Sequence, residues 1–249
     1  MYEIMFVPKI SEISLNEKVK FTSLIDYLQH SAYKHADLLG VGHQQIFHKN
    51  LTWLLLRHTV EIIQYPTLED EVKVITWVAE SGSSRYTLRE FEIYDSQSNL
   101  FCKATTSWLL FNYRKRQIVD FKNFWPYFKA EEKRAINYDF PKLPLPEKID
   151  NRKLMKVRLH DLDINQHVNH RVNIEWIIDS MPQKIQKKYE LSKLEISYKD
   201  QAFYEEEVVV GTEILKNQEN KQIKAIHQIT KGKKEKLVSK AITYWRLQE

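Results

Sequence analysis

Lys103-Ala104-Thr105-Thr106-Ser107-Trp108 recurs 137 positions later as Lys240-Ala241-Ile242-Thr243-Tyr244-Trp245, with four of the six residues identical. Upstream, Tyr65-Pro66-Thr67-Leu68-Glu69-Asp70-Glu71-Val72 has a counterpart in Gln201-Ala202-Phe203-Tyr204-Glu205-Glu206-Glu207-Val208, displaced by 136. Either match alone is weak. Two in the same order, at nearly one displacement, argue for a duplication, and two copies are too few for a solenoid.

Both copies read alike. Leu24, Ile25, Leu28, Ala32, Ala36 and Leu39 recur at helical spacing, with Ser23 and Asp26 as a capping box. In the second copy Val168, Val172, Trp176, Ile177 and Met181 form the same pattern. Strands follow in the first copy at Leu51 to Gln64, Val72 to Ala79, Tyr86 to Tyr94 and Leu100 to Tyr113. The second copy gives Leu191 to Lys199, Glu207 to Leu215, Ile223 to Thr230 and Leu237 to Leu247. The stretch 121–150 holds four of the seven prolines (Pro126, Pro141, Pro144, Pro146) and reads as an extended linker. The chain therefore divides into 1–120, the linker 121–150, and 151–249. Each copy is one long helix plus antiparallel strands, an α+β layout in which a curved sheet wraps the helix.

Composition narrows the function. With 43% hydrophobic residues and five glycines in 249, the chain is folded rather than disordered. A single cysteine, Cys102, excludes an intrachain disulfide framework and fits a reducing compartment. The N-terminal residues lack a signal-peptide core, and no run approaches ~18 uncharged apolar residues, so a soluble cytoplasmic protein with no membrane span is expected. A net charge of +5 is too mild to argue for nucleic acid. Arg114-Lys115-Arg116 and the run Lys231, Lys233, Lys234, Lys236 are the basic clusters that an acidic partner would meet.

The chemistry concentrates in Asp161-Leu162-Asp163-Ile164-Asn165-Gln166-His167-Val168-Asn169-His170, which leads into the second apolar-periodic helix. Asp163, Asn165 and His167 alternate. With the unpaired N–H groups of a helix start they can converge on one small volume suited to water activation beside an oxyanion. The competing reading is plain: Asp or Asn ahead of a helix is often only a cap. Metal binding wants a second ligand cluster, which the sequence does not offer.

The chain resembles the acyl-acyl carrier protein (acyl-ACP) thioesterases over almost its whole length. In the first half the resemblance rests on Asn50-Leu51-Thr52-Trp53, Arg57, Tyr65-Pro66-Thr67, Thr76-Trp77-Val78, Ser81-Gly82 and the Ala104 to Trp108 run. In the second half it rests on Asp161 to Asn169, Trp176-Ile177 and Tyr198. It implies two tandem hotdog domains, the second catalytic, the first supplying packing and an acyl tunnel. It also implies a partner, the acyl carrier protein with its acyl-phosphopantetheine, and no cofactor.

Residue by residue, the family's catalytic Asp, Asn and His fall on Asp163, Asn165 and His167. Its further Glu falls at Gln201, a departure, since an amide positions water but takes no proton. Plant members carry a Cys next to that Glu. Ala202 stands there, which disfavours a thiolate nucleophile, and Cys102 reads as a small buried apolar residue. Where the family has a second Asn after the His-Val-Asn run, this chain has His170. Asp163 or His167 is then the base, and Asn165 orients them or hydrogen-bonds the thioester. Backbone N–H groups at the start of the Val168 helix face the oxyanion. Trp53, Leu55, Trp108 and Val168 are the candidate acyl contacts, with core packing the alternative for the first three. Arg114, Lys115 and Arg116 are the candidate carrier-protein contacts. An acyl-CoA thioesterase and a non-hydrolytic acyl-binding module remain the alternatives, and the tandem pair acts alone as a pseudo-dimer or associates further as a homodimer.

Overall fold

A computed structural model describes every residue except 84, 126, 127, 218–221 and 249. Pro126 and the last serine of the turn at 81–84 therefore lie outside the described residues. Contacts divide the chain into two units, Met1–Asp139 and Phe140–Glu249.

The first unit contains β1 (Tyr2–Phe6), α1 (Phe21–Leu38), α2 (His43–Phe47), β2 (Leu51–Ile62), β3 (Val72–Ala79), β4 (Thr87–Tyr94), β5 (Leu100–Asn112), β6 (Gln117–Val119) and α3 (Phe121–Phe124). The strands run β1-β3-β4-β5-β2, with β6 on the end of β5, and every pairing is antiparallel. The second unit contains β7 (Asn151–Lys156), α4 (His170–Ser180), α5 (Gln183–Gln186), β8 (Tyr189–Tyr198), β9 (Glu207–Asn217), β10 (Gln222–Lys231) and β11 (Lys236–Leu247). Its strands run β8-β11-β10-β9-β7, again antiparallel throughout. Each unit is thus the helix-and-sheet arrangement that the duplication implies. The strands β1, β6 and β7 and the short helices α2, α3 and α5 are the elements the sequence reading did not anticipate.

The helices bury one face. Leu24, Ile25 and Leu28 of α1 and Ile174 and Ile177 of α4 have at most 1% of their surface exposed. Each contributes roughly 1.5–3 kcal/mol by leaving water. The repeated strand segments form equivalent contacts: Trp108 Nε1 donates to Thr106 Oγ1 at 2.8 Å, and Trp245 Nε1 donates to Thr243 Oγ1 at 2.9 Å.

Two local expectations are corrected. Helix α1 begins at Phe21 behind Lys20, with no side-chain cap, so Ser23 and Asp26 lie inside it and form no capping box. Helix α4 begins at His170, not Val168, and its cap is Asn169, whose side chain accepts from the Arg171 amide at 2.9 Å. Asn169 satisfies the helix start, which frees Asp163 and Asn165 from that duty.

The proline-bearing stretch is anchored at both ends. Trp77 Nε1 donates to the Lys133 carbonyl at 2.7 Å. Arg134 Nε and the Ala135 amide reach the buried Glu90 carboxylate at 2.8 and 3.0 Å. Further on, the buried Lys240 ammonium donates to the Leu143 carbonyl, and the Ile214 amide donates to Asp150 at 2.9 Å.

Candidate active site

Asp163, Asn165 and His167 sit together on a tight loop between a single 3-10 turn (Leu159–Asp161) and α4. The loop is closed by an antiparallel bridge between Leu162 and Val168. The Asp163 amide donates to the His167 carbonyl at 2.8 Å, and the Gln166 amide to the Asp163 carbonyl at 3.0 Å. Gln166 turns the chain with φ 62°, a left-handed conformation that costs a non-glycine residue energy and persists because the loop is pinned on both sides. Below the loop, the buried Asp161 carboxylate takes the Arg158 amide at 2.8 Å and the Arg158 guanidinium at 2.7 Å.

Asp163 Oδ1 accepts from the amides of Asn165 at 2.8 Å and, more weakly, of His167 at 3.4 Å. These hydrogen bonds fix the carboxylate against its own loop. Asp163 and His167 are half-buried, while Asn165 is exposed. The Val168 amide is already committed to the Ala202 carbonyl at 3.0 Å, and the Asn169 amide to the Asp161 carbonyl at 2.8 Å. The expected oxyanion donors at a Val168 helix start are therefore occupied.

That same Val168–Ala202 hydrogen bond brings the β8–β9 connection against the loop. Gln201, with an exposed side chain, is next to Ala202, and the Phe203 ring meets the His167 ring edge-on at 5.1 Å. Behind Phe203 stands Lys231, its ammonium 5.0 Å from the ring centre. Lys231 donates to the Gln201 carbonyl and pairs with Glu206 at 3.1 Å and Asp200 at 3.4 Å. Lys236 joins Asp200 at 2.8 Å. Burial pushes Asp200 up, but the hydrogen bonds from Lys236 and the Gln201 amide, with the Lys231 charge, hold it below the ordinary carboxylate value. Sequence reasoning missed Phe203, and it saw Lys231 only as part of a basic run.

Next to the loop, the His170 ring packs edge-on against Tyr198 at 6.1 Å. Burial, with Arg171 adding to it, pushes His170 down to about 4, so it stays neutral at physiological pH.

The first unit contains the same loop with other side chains. Ile13 bridges Val19, the Ser14 amide donates to the Lys18 carbonyl at 2.8 Å, and Glu17 turns the chain with φ 61°. The Val19 amide reaches the Pro66 carbonyl at 2.7 Å, as Val168 reaches Ala202. Glu12 takes the Lys9 amide at 2.8 Å, as Asp161 takes that of Arg158. Ser14, Asn16 and Lys18 thus stand where Asp163, Asn165 and His167 stand in the second unit.

Two family models account for nearly the whole chain. The acyl-ACP thioesterase N-terminal domain matches residues 1–123, and the acyl-ACP thioesterase C-terminal domain matches residues 146–247. The chain belongs to the acyl-ACP thioesterase family. Among curated relatives, the palmitoyl-acyl carrier protein thioesterase of Gossypium hirsutum is 31% identical over 206 residues, covering 76% of this chain and 49% of the relative. The acyl-[acyl-carrier-protein] hydrolase FATB2 of Cuphea viscosissima is 29% identical, covering 76% of this chain and 49% of its own length. The chain thus spans about half the length of the curated relatives it matches. Among solved structures, the 12:0-ACP thioesterase from Umbellularia californica superposes with a TM-score of 0.86 at 21% identity, covering 99% of this chain and 97% of that one. A putative oleoyl thioesterase from Lactobacillus plantarum gives 0.85 at 22% identity, covering 100% and 96%. At such identities these superpositions speak to the fold, a tandem double hotdog.

The remaining candidates of this acyl-ACP thioesterase family member lie mostly in the first unit. Trp53 is half-buried, donates to the Val41 carbonyl at 2.9 Å and packs on a cluster of Val41, Ile46, Leu51 and Leu110. Leu55 lies opposite Trp108 in the β2–β5 register, and both are half-buried. Arg114, Lys115 and Arg116 form the exposed turn between β5 and β6, with Arg116 at φ 53°. Cys102 is fully buried in β5, where burial and then Glu61 push its thiol well above the usual range. That environment suppresses the thiolate.

Proposed function

We propose that this chain hydrolyses the thioester of acyl-ACP, releasing free fatty acid and ending chain elongation. The observation that carries the reading is the single loop holding Asp163, Asn165 and His167 against the Gln201–Phe203 segment. The names of the curated relatives, acyl-ACP hydrolases and thioesterases, support the substrate class.

Water attacks the thioester carbonyl, the C–S bond breaks, and the pantetheine thiolate takes up a proton. Asp163 binds the water through the oxygen that the loop amides do not engage. His167 accepts the proton from the water and returns it to the leaving thiolate, or exchanges that role with Asp163. Gln201 orients the water through its amide. With the Val168 and Asn169 amides occupied, the exposed Asn165 carboxamide is assigned as a donor to the oxyanion.

Acyl-chain contacts are assigned to Trp53, Leu55 and Trp108 in the first unit and to Val168 in the second. Arg114, Lys115 and Arg116 are assigned to the acidic carrier protein. No helix is long and apolar enough to cross a membrane among the described residues, and the single reduced cysteine suits the cytoplasm.

The test is a hydrolysis panel of acyl-ACPs and matching acyl-CoAs from short to long chains. Turnover of acyl-ACP with a higher kcat/KM than the matching acyl-CoA is expected. Equal or better turnover of the CoA esters would transfer the function to that carrier, and no turnover of either would remove it.

A further inference from the structure

The two loops have nearly the same backbone, so what stands behind them is informative. In the first unit the connection beneath the loop is held by backbone and local polar contacts. Lys18 bridges Thr67, and the Thr67 amide is capped by Asp70 at 2.7 Å. In the second unit the Phe203 amide is likewise capped by Glu206, at 3.0 Å. There, however, a largely buried cation is added. Lys231, with 13% of its side chain exposed, reaches the Gln201 carbonyl, the Glu206 and Asp200 carboxylates and the face of Phe203. The Phe203 ring in turn backs the His167 imidazole. One ammonium therefore ties both ends and the middle of the 200–206 connection, and the connection's aromatic ring is the surface against which His167 rests.

We infer that Lys231 is a positioning residue for the hydrolytic loop, acting on His167 through Phe203 and on Gln201 through its carbonyl. The assignment rests on the proposed hydrolysis. It extends that reading to a residue that touches neither water nor thioester. A four-way contact suits lysine: its three N–H groups serve one carbonyl and two carboxylates. The ammonium itself lies over the Phe203 ring, 5.0 Å from its centre, a favourable cation–π contact. The charged groups gathered behind Phe203 are Asp200 and Glu206 on the connection, Lys231 on β10 and Lys236 on β11. Removing Lys231 leaves Asp200 to Lys236 and takes away the contact that joins the Gln201 carbonyl, Glu206 and the Phe203 ring.

The experiment uses the full chain with Lys231→Met, Lys231→Arg and Phe203→Leu. Lys231→Met is expected to lower kcat for acyl-ACP by at least about tenfold, the scale of a misplaced catalytic group, with KM changed less than about twofold. Its pH–rate profile differs from that of the parent. Lys231→Arg, which keeps the charge and the ring contact, recovers most of the rate and the parental profile. Parental kcat and pH profile in Lys231→Met would overturn the inference, as would a loss that Lys231→Arg fails to rescue. If Lys231→Met does not fold, Phe203→Leu carries the test, because it removes the ring and keeps the ion pairs. A parental rate and pH profile there overturns the relay to His167. If the parent turns over no thioester, the proposed function fails separately, and positioning is read from the imidazole NMR signals of His167. Those signals should move in Lys231→Met while those of exposed His48 stay fixed. An unmoved His167 signal sinks the proposal whatever the activity.

Discussion

The loops at Ser14–Lys18 and Asp163–His167 share a bridge, a left-handed residue at the tip and hydrogen bonds to the same two neighbouring segments, yet only one carries a carboxylate and an imidazole. The backbone frame is thus separable from the chemistry mounted on it. Duplication supplied two frames. In the second, Asp163 replaces a hydroxyl, His167 replaces an amine, and the connection behind gains Phe203 and Lys231. The frame is a structural device of this fold, and the proposed reaction is assigned to three side chains it displays.

The strongest way to break this comparison is to give one loop the other's side chains. Asp163→Ser and His167→Lys, the residues of the first loop, should each leave the fold intact and lower kcat by roughly 100-fold or more. Ser14→Ala and Lys18→Ala should change kcat less than about twofold, the scale of a group outside acid–base chemistry. Steady-state hydrolysis with melting curves for all four variants decides. Comparable losses in both loops would mean that the frame, not the chemistry, was being measured.

Gln201 sharpens the contrast between the segments beneath the loops. Gln201→Ala should cost less than Asp163→Ser, through lost water positioning. Gln201→Glu adds a negative charge beside the loop, which disfavours carboxylate ionisation and favours imidazolium, so the pH–rate profile should shift upward. If both variants match the parent in rate and profile, Gln201 lies outside the chemistry.

A difference between the two sheets predicts a stability effect. His227 occupies the register position opposite Thr212 that Phe91 occupies opposite Thr76. It is fully buried, bonded to Thr212 at 3.0 Å and Thr243 at 2.7 Å, and burial pushes it down to about 3. In the first unit His35 is pushed down to about 4, by burial first and then by the Arg89 charge. Both histidines are neutral when folded and gain protons only when unfolded. The unfolded chain therefore binds more protons once the pH drops below about 6.5, and stability falls from there toward the folded values. Melting temperature should decline from pH 7 to 4.5, and His227→Phe should reduce that slope. A parallel decline in parent and variant would show that His227 does not contribute to it.

Smaller effects are expected at the surface. Reversing two charges among Arg114, Lys115 and Arg116 should raise KM for acyl-ACP, most at low salt, and spare a small acyl thioester. Equal effects on both substrates would remove the turn from carrier recognition. Cys102→Ala should leave turnover unchanged, and a large loss without destabilisation would reopen thiolate chemistry.

Much of the fold was legible because strands are read from alternation and turn residues, and the Trp108/Trp245 segments repeat them almost letter for letter. The first loop was invisible for a definite reason. Val19 and Val168 are 149 positions apart, whereas Pro66 and Ala202 are 136 apart, so a search at the strand displacement passes it by. The lost register lies between the helices and the first long strands, where α1 has 18 residues and α4 has 11. Ser14 and Lys18 also share no side chain with Asp163 and His167, and backbone hydrogen bonds leave no trace in composition. Lys231 was hidden because its partners, Asp200 and Glu206, sit on another connection. The start of α4 was misplaced because Val168 fits an apolar period, although its amide is taken by a neighbouring segment.

The proline-bearing stretch has a practical side. With Lys133, Arg134 and Ala135 fastened to the first unit, and Leu143 and Asp150 to the second, it is two short straps rather than a leash. Proteases need several consecutive residues drawn out of such contacts before they can cut. Nicking there should follow the rate at which a strap lets go, and Lys240→Met, which unfastens Leu143, should speed cleavage near the Pro141–Pro146 segment before it lowers the melting temperature.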